Sequence, residues 1–271
     1  MNVLIFGGNR FVGKALSEVL INKDYYVDVF NRSGTSDNDK IKIIQGDRNK
    51  SEDIEKIDFT KYDCIVDMCL FFPNQFDLVK DKISKETNYI FVSSGAADYR
   101  YIDSYGDYGK DKLAVEELLE FSDLNYEVIR PSYIVGVGNH RPRLGHYINC
   151  ICEEKPIKID GDGNNEINLV FVQDVVGVLE RLVDIETHDA KVIDVCGNEN
   201  FSVISLINKI NNYYGRQLNI DYNQEDAILP KNNFVFDNTQ TCINLDMTFT
   251  DFDKGLKQYI EWHRGQHETN L

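Results

Sequence analysis

Tyr108-Gly109-Lys110-Asp111-Lys112 sets a phenol and an ammonium four residues apart, a spacing that stacks both on one face of a helix. A phenol titrates near pH 10, and a neighbouring cation favours its ionised form, so Lys112 can bring Tyr108 toward working pH. Such a phenol can give or take a hydroxyl proton. With 15 tyrosines in the chain, about one such pair arises by chance, so its place matters more than its existence. It opens a helix just after an apolar strand that ends in Ser93-Ser94, and Ser94 can bring a hydroxyl to the same reacting oxygen. Tyr99, Tyr101 and Tyr105 are the nearest substitutes for the proton carrier.

A second cluster lies at the N-terminus, where Gly7-Gly8-Asn9-Arg10-Phe11-Val12-Gly13 follows a short apolar run and leads into helical spacing. Gly7 suits a tight turn and Gly13 a helix packed closely on a sheet, while the helix start offers N–H groups to a pyrophosphate. Arg10 stands where a middle glycine is usual. About twenty residues on, the next strand ends in Asn31-Arg32-Ser33. A carboxylate there would accept from a ribose 2′-OH and repel a 2′-phosphate; an amide beside a guanidinium suits NADP better than NAD. Asp47 can accept from an adenine amino group or cap the short helix after it. At the ends of successive strands Arg48, Met68, Cys69, Ser93 and Pro131 are expected to border the same dinucleotide, with Tyr108 and Lys112 at its nicotinamide end.

These groups need a scaffold. Val3 to Phe6, Tyr26 to Phe30, Ile41 to Ile44, Cys64 to Val66, Tyr89 to Val92 and Glu127 to Arg130 read as buried strands. Between them Phe11 to Ile21, Asn74 to Ile83 and Tyr108 to Phe121 read as helical stretches. Strands alternating with helices predict a Rossmann α/β fold, a doubly wound parallel sheet. Pro131 marks the end of the sixth strand. Beyond it glycines and Pro142 suggest excursions, and Ser202 starts a capped helix closed by Gly215, with a terminal helix over Phe252 to Trp262. The expected domains are 1–134 with about 167–195 for the dinucleotide, and about 135–166 with 196–271 for a smaller substrate lobe.

Composition narrows the partners. The chain has 271 residues and a net charge of −16, which repels a phosphate backbone and argues against nucleic acid. His140, Arg141, Arg143 and His146 form the one dense basic cluster, readable as a groove or as a solvated loop. Six cysteines without CxxC spacing read as free thiols, and Cys150 and Cys152 point apart on a helix, so no metal is expected. No signal peptide and no apolar run of about 18–20 residues appear, which points to the cytoplasm and away from membranes. For a soluble enzyme a homodimer is the default assembly.

In these motifs the chain resembles the NAD(P)-dependent epimerase/dehydratase family, within the extended and atypical short-chain dehydrogenases. The resemblance rests on Gly7-Gly8-x-x-Phe11-x-Gly13, Gly46-Asp47-Arg48, Ser93-Ser94, Tyr108 with Lys112, and Arg130-Pro131 leading to Gly136. It implies that Ser94 polarises the substrate oxygen, Tyr108 is the acid/base, and Lys112 also holds the nicotinamide ribose. It further implies a C-terminal substrate lobe, with Tyr133 and Arg143 as substrate contacts. The implied activity is oxidoreduction or epimerisation at a hydroxyl or carbonyl carbon of a polar small molecule such as a nucleotide sugar. Gly95-Ala96 stand where dehydratases of the family carry an Asp-Glu pair, which argues against dehydration. Arg10 is similar to a branch resembling chloroplast stem-loop-binding proteins, whose alternative role is an idle NADP sensor or an RNA- or protein-binding module.

Overall fold

The computed structural model describes residues 1–140, 143–184, 191–229 and 232–268. It divides into two units, Met1–Pro131 with Gln173–Val195, and Ser132–Val172 with Cys196–Leu271.

The first unit alternates strands and helices: β1 (Asn2–Phe6), α1 (Phe11–Asn22), β2 (Tyr26–Asn31), β3 (Lys42–Gln45), α2 (Ser51–Ile54) and β4 (Cys64–Asp67). Then come α3 (Pro73–Asp77), β5 (Asn88–Val92), α4 (Ile102–Glu120) and β6 (Asn125–Pro131). The chain passes into the second unit through β7 (Tyr133–Val135), α5 (Leu144–Cys152), β8 (Ile157–Lys158) and β9 (Glu166–Phe171). Helix α6 (Val172–Asp184) and β10 (Val192–Val195) return to the first. The second unit is completed by β11 (Asn200–Ser202), α7 (Val203–Asn211), β12 (Ile220–Asp221), α8 (Thr239–Asn244) and α9 (Phe252–Glu268).

Among the described residues seven strands form one sheet in the order β10-β6-β5-β4-β1-β2-β3, every pair parallel. This is the Rossmann order expected from the alternating pattern. Strand order reverses between β1 and β4, so a crevice opens there beyond the carboxyl ends of the strands. Strands buried on both faces need continuous apolar runs, and Val3, Leu4, Ile5 and Phe6 are all buried. Leu4 and Phe6 share one core with Ile65, Tyr89, Phe91, Val115 and Leu119. Each such side chain contributes about 1.5–3 kcal/mol by leaving water.

Several boundaries differ from the sequence reading. The third strand lies one residue later, at Lys42–Gln45, and the sixth starts two residues early, at Asn125, while ending at Pro131 as expected. The stretch Asn74 to Ile83 breaks into the five-residue α3 and a 3-10 turn over Lys80–Lys82. Helix α4 begins at Ile102, six residues early, because Gly106 adopts φ 54 and ψ −138 and kinks two helical pieces together.

In the second unit β9 pairs with β7 in parallel and with β11 antiparallel, so β9, expected with the first domain, is paired inside the second unit. Ser202 caps α7 through its hydroxyl, which accepts from the Ser205 amide at 3.1 Å. Phe252 at the start of α9 packs on Phe201 and Phe171, with ring centroids 4.3 Å and 5.7 Å away. Among the described residues no helix is long and apolar enough to cross a membrane, and no cluster of three His, Cys, Asp or Glu could hold a metal.

Candidate functional site

The glycine turn sits at the carboxyl end of β1, beside the reversal in strand order. Gly7 has φ +95, a conformation that costs L side chains dearly. A Cβ there would also lie 2.4 Å from the Cys69 sulfur, the wall on the β4 side. At Gly13 a Cβ would lie 2.3 Å from the Gly7 carbonyl oxygen, so only glycine lets α1 start this close to the turn. Gly8 is closed in by Val29, and Val12 is buried behind the turn. Arg10 precedes the helix in extended conformation and its carbonyl accepts from the Gly13 and Lys14 amides, while its guanidinium is exposed. Phe11 holds φ +46 at the first helical position.

The end of β2 is braced against this turn. Asn31 donates to Asn9 Oδ1 at 2.9 Å and accepts from the Gly34 amide at 2.7 Å and the Ser33 hydroxyl at 3.0 Å. Asn9 in turn donates to Ser33 Oγ at 2.8 Å and to the Thr35 carbonyl. Asn31 and Ser33 thus shape the loop, and the exposed Arg32 is the group they leave facing outward. Asp47 does not cap the short helix after it, whose N-cap is Lys50 without a side-chain cap: its carboxylate instead closes a local turn, accepting from the Asn49 amide at 3.0 Å and the Asn49 side chain at 2.8 Å. The Asn49 amide, with Arg32 nearby, holds Asp47 below the ordinary carboxylate range.

Beneath the turn lies a buried polar cluster that the sequence reading missed. Arg48 Nη1 donates to Asp67 Oδ1 at 2.5 Å, and the Tyr89 hydroxyl donates to Asp67 Oδ2 at 2.9 Å. Burial, then the charge of Asp67, pushes the Tyr89 phenol well above its ordinary value. Burial pulls the Arg48 guanidinium down, and Asp67 more than offsets it. Met68 continues β4, its amide donating to the Phe6 carbonyl at 3.2 Å.

On the other side of the crevice Lys112 reaches from α4 to the Leu70 carbonyl at 2.7 Å and the Val92 carbonyl at 2.9 Å. Its ammonium lies between the Phe91 and Phe71 rings, 4.7 Å and 4.9 Å from their centroids. Two of its three donors are thereby used. Burial draws its pKa down to about 8. Tyr108, one turn earlier, is exposed. Ser94 Oγ accepts from the Ala96 amide at 3.2 Å, which leaves the hydroxyl proton to donate.

Ser93 points elsewhere: its hydroxyl donates to the buried Glu116, which also takes Arg130 Nη2 at 2.5 Å and Arg130 Nε at 3.1 Å. Glu116 continues the four-residue series Tyr108, Lys112, Glu116, a spacing that could have revealed it. Pro131 is buried at the end of β6, in register with Val195 of β10.

The expected substrate contacts fall in the second unit. The Arg143 guanidinium lies over the Tyr133 ring, 4.9 Å from its centroid, and donates to the Ile134 carbonyl at 3.5 Å. His146 is half-buried on α5 with Nε2 3.6 Å from the Cys150 sulfur, and burial lowers its pKa. Of the basic cluster, Arg143 thus lies on an aromatic ring and His146 on its own helix; Arg141 lies outside the described residues.

Residues 3–70 match the family model described as the NAD dependent epimerase/dehydratase family. The chain is 25% identical over 224 residues to the chloroplast stem-loop binding protein of 41 kDa b of Arabidopsis thaliana. That match covers 73% of this chain and 59% of the relative, so the chain spans less than two thirds of that protein. Among solved structures, UDP-glucose 4-epimerase of Thermotoga maritima, solved with UDP-glucose, superposes with a TM-score of 0.81 at 19% identity. It covers 98% of this chain and 100% of its own. UDP-glucuronic acid 4-epimerase of Bacillus cereus, solved with UDP-glucuronic acid and NAD, gives 0.79 at 16% identity with the same coverage. At these identities the likeness is one of fold.

Proposed function

We propose an NAD(P)-dependent oxidoreductase or epimerase, a reading supported by the match of residues 3–70 to the NAD dependent epimerase/dehydratase family model and by the likeness of fold. Its substrate is a polar small molecule bearing a hydroxyl or carbonyl carbon, a nucleotide sugar first among them. The observation that carries this reading is the meeting of the Gly7–Gly13 turn and the Lys112 ammonium along one carboxyl edge of the sheet.

The residues present fit a dinucleotide. The turn keeps side chains out of the helix start, and Arg10 and Arg32 are exposed cations beside it. The third Lys112 donor suits a ribose hydroxyl. Bound there, a nicotinamide supplies the hydride acceptor and donor. Tyr108 would take the substrate hydroxyl proton when that carbon is oxidised and return it when the carbonyl is reduced. Ser94 donates its free proton to the same oxygen and steadies the charge that develops on it.

At the ribose end the reading is NADP, on Arg32 and the lack of a carboxylate at position 31. Titrating wild type with both dinucleotides tests it, and tighter binding of NAD overturns this finer point alone. For the function itself, protein loaded with either dinucleotide is mixed with UDP-hexoses, following absorbance of reduced nicotinamide and the epimeric ratio by NMR. Transient reduction and a shifted ratio are expected; a folded protein that binds neither dinucleotide overturns the reading.

A second reading, a catalytically idle dinucleotide-binding module with a macromolecular partner, draws on the likeness to the stem-loop binding protein. The net charge of −16 opposes RNA as that partner. Dinucleotide binding without reduction by any nucleotide sugar would favour this reading.

A further inference from the structure

One guanidinium, just after β3, meets the ends of β4 and β1 under the glycine turn. Arg48 follows β3; its Nη1 donates to Asp67 at the end of β4, and its Cζ lies 5.1 Å from the Phe6 ring centroid at the end of β1. Tyr89 of β5 donates to the other Asp67 oxygen. Phe6 and Asp67 are register partners, the last pair before both chains leave the sheet.

What these chains become next is the crevice itself. Gly7 follows Phe6, and Cys69 follows two residues after Asp67. Asp67 Oδ1, the oxygen that Arg48 holds, also accepts the Cys69 amide at 3.0 Å. The Cys69 sulfur is the atom a Cβ on Gly7 would strike. The position of the wall against the turn is therefore set by Asp67, and the orientation of Asp67 by Arg48 and Tyr89.

A buried ion pair is a poor device for stability alone, since apolar side chains of similar volume hold buried elements as well or better. Here the disadvantage is larger, because Arg48 Nε and Nη2 are buried without a partner among the described residues. What the pair adds is direction: a carboxylate pinned on both oxygens holds one backbone amide in one place.

We propose that Arg48 is a positioning residue of the dinucleotide site, acting through Asp67 to fix the Cys69 wall against Gly7. The inference rests on the dinucleotide reading above. Because the wall and the turn serve every dinucleotide alike, loss of the clamp weakens NAD and NADP by the same factor.

The test replaces both charges at once, Arg48→Met with Asp67→Leu, so that neither is left buried alone. Melting temperature, amide hydrogen exchange across residues 67–71, and dissociation constants for NAD and NADP are measured. The expected result is a melting temperature near wild type, exchange at Cys69 faster by about tenfold or more, and both affinities weaker by about tenfold or more. Wild-type affinity in the double variant overturns the inference, as does a loss confined to NADP, which would mark Arg48 as a direct 2′-phosphate contact. Should the double variant not fold, Arg48→Lys keeps the charge but loses the planar fork, and unchanged affinity in that folded variant overturns the inference equally. Wild type binding neither dinucleotide removes the dinucleotide reading and this inference together, whereas binding by wild type and variants alike removes this one only.

Discussion

Tyr108 and Lys112 stand one turn apart on α4, yet the phenol is 45% exposed and the ammonium 2% exposed. The difference comes from reach. Lys112 is long enough to cross to the Leu70 and Val92 carbonyls, where two hydrogen bonds and two aromatic rings hold it. Tyr108 stays at the surface, where a substrate can meet its hydroxyl.

Tyr108→Phe should therefore abolish most turnover while leaving dinucleotide affinity within about twofold, since it removes one exposed hydroxyl. A general acid–base group contributes roughly 10²–10⁴-fold in rate, and kcat should fall at least that far. Full activity in this variant would remove Tyr108 from the mechanism, with Tyr99, Tyr101 and Tyr105 next to test.

The sheet was legible because strands buried on both faces carry unbroken apolar runs, and the turn because Gly7 and Gly13 have no alternative there. The start of α4 was not, since the positive φ of Gly106 breaks the periodicity that would have announced Ile102. Least legible was the cluster of Arg48, Asp67 and Tyr89. Its members come from three different strand regions, 19 and 22 residues apart, and meet only once the sheet has formed. Asn31 shows the opposite limit: the residue was noticed for its place near a ribose, but its amide is spent on Asn9, Ser33 and Gly34.

Gly13→Ala should weaken both dinucleotides together and lower stability by about 1–3 kcal/mol, the usual cost of overpacking. The added Cβ meets backbone, the Gly7 carbonyl oxygen and the Gly8 Cα at 2.8 Å, so the helix start has to move. Thermal melts and calorimetric titrations check both effects. Unchanged affinity at an unchanged melting temperature would mean the turn does not hold the ligand.

Glu127, buried in β6, should make the fold less stable as pH rises from about 5 to 7. Burial pushes its carboxyl up to about 7, against hydrogen bonding from Asn88 and the charge of Lys191. The folded chain then keeps a proton that the unfolded chain has lost, so unfolding releases protons and stability falls with pH until both states are ionised. Glu127→Gln removes that slope and should gain on the order of 2 kcal/mol at pH 8 relative to wild type. Urea melts at pH 5 and pH 8 decide it; parallel slopes for the two proteins would show that Glu127 ionises normally.

Lys112 should set the alkaline limb of catalysis. Burial lowers the Lys112 ammonium to about 8, and the surrounding charges act in both directions: Asp67, Cys69 and Glu116 raise it, while Arg48 lowers it further. Below that pH Lys112 carries its charge; as pH rises through 8 that charge is lost. The ribose contact weakens in the same step. kcat/KM should accordingly fall with a midpoint near pH 8, well below the ordinary lysine range. Lys112→Arg keeps its charge throughout, so whatever activity it retains should lack that limb, even though a guanidinium fits the Leu70 and Val92 carbonyls less well. A wild-type profile that stays flat to pH 10, or an arginine variant with the same midpoint near 8, would separate Lys112 from the proton chemistry and leave it as a tie between the ends of β4 and β5.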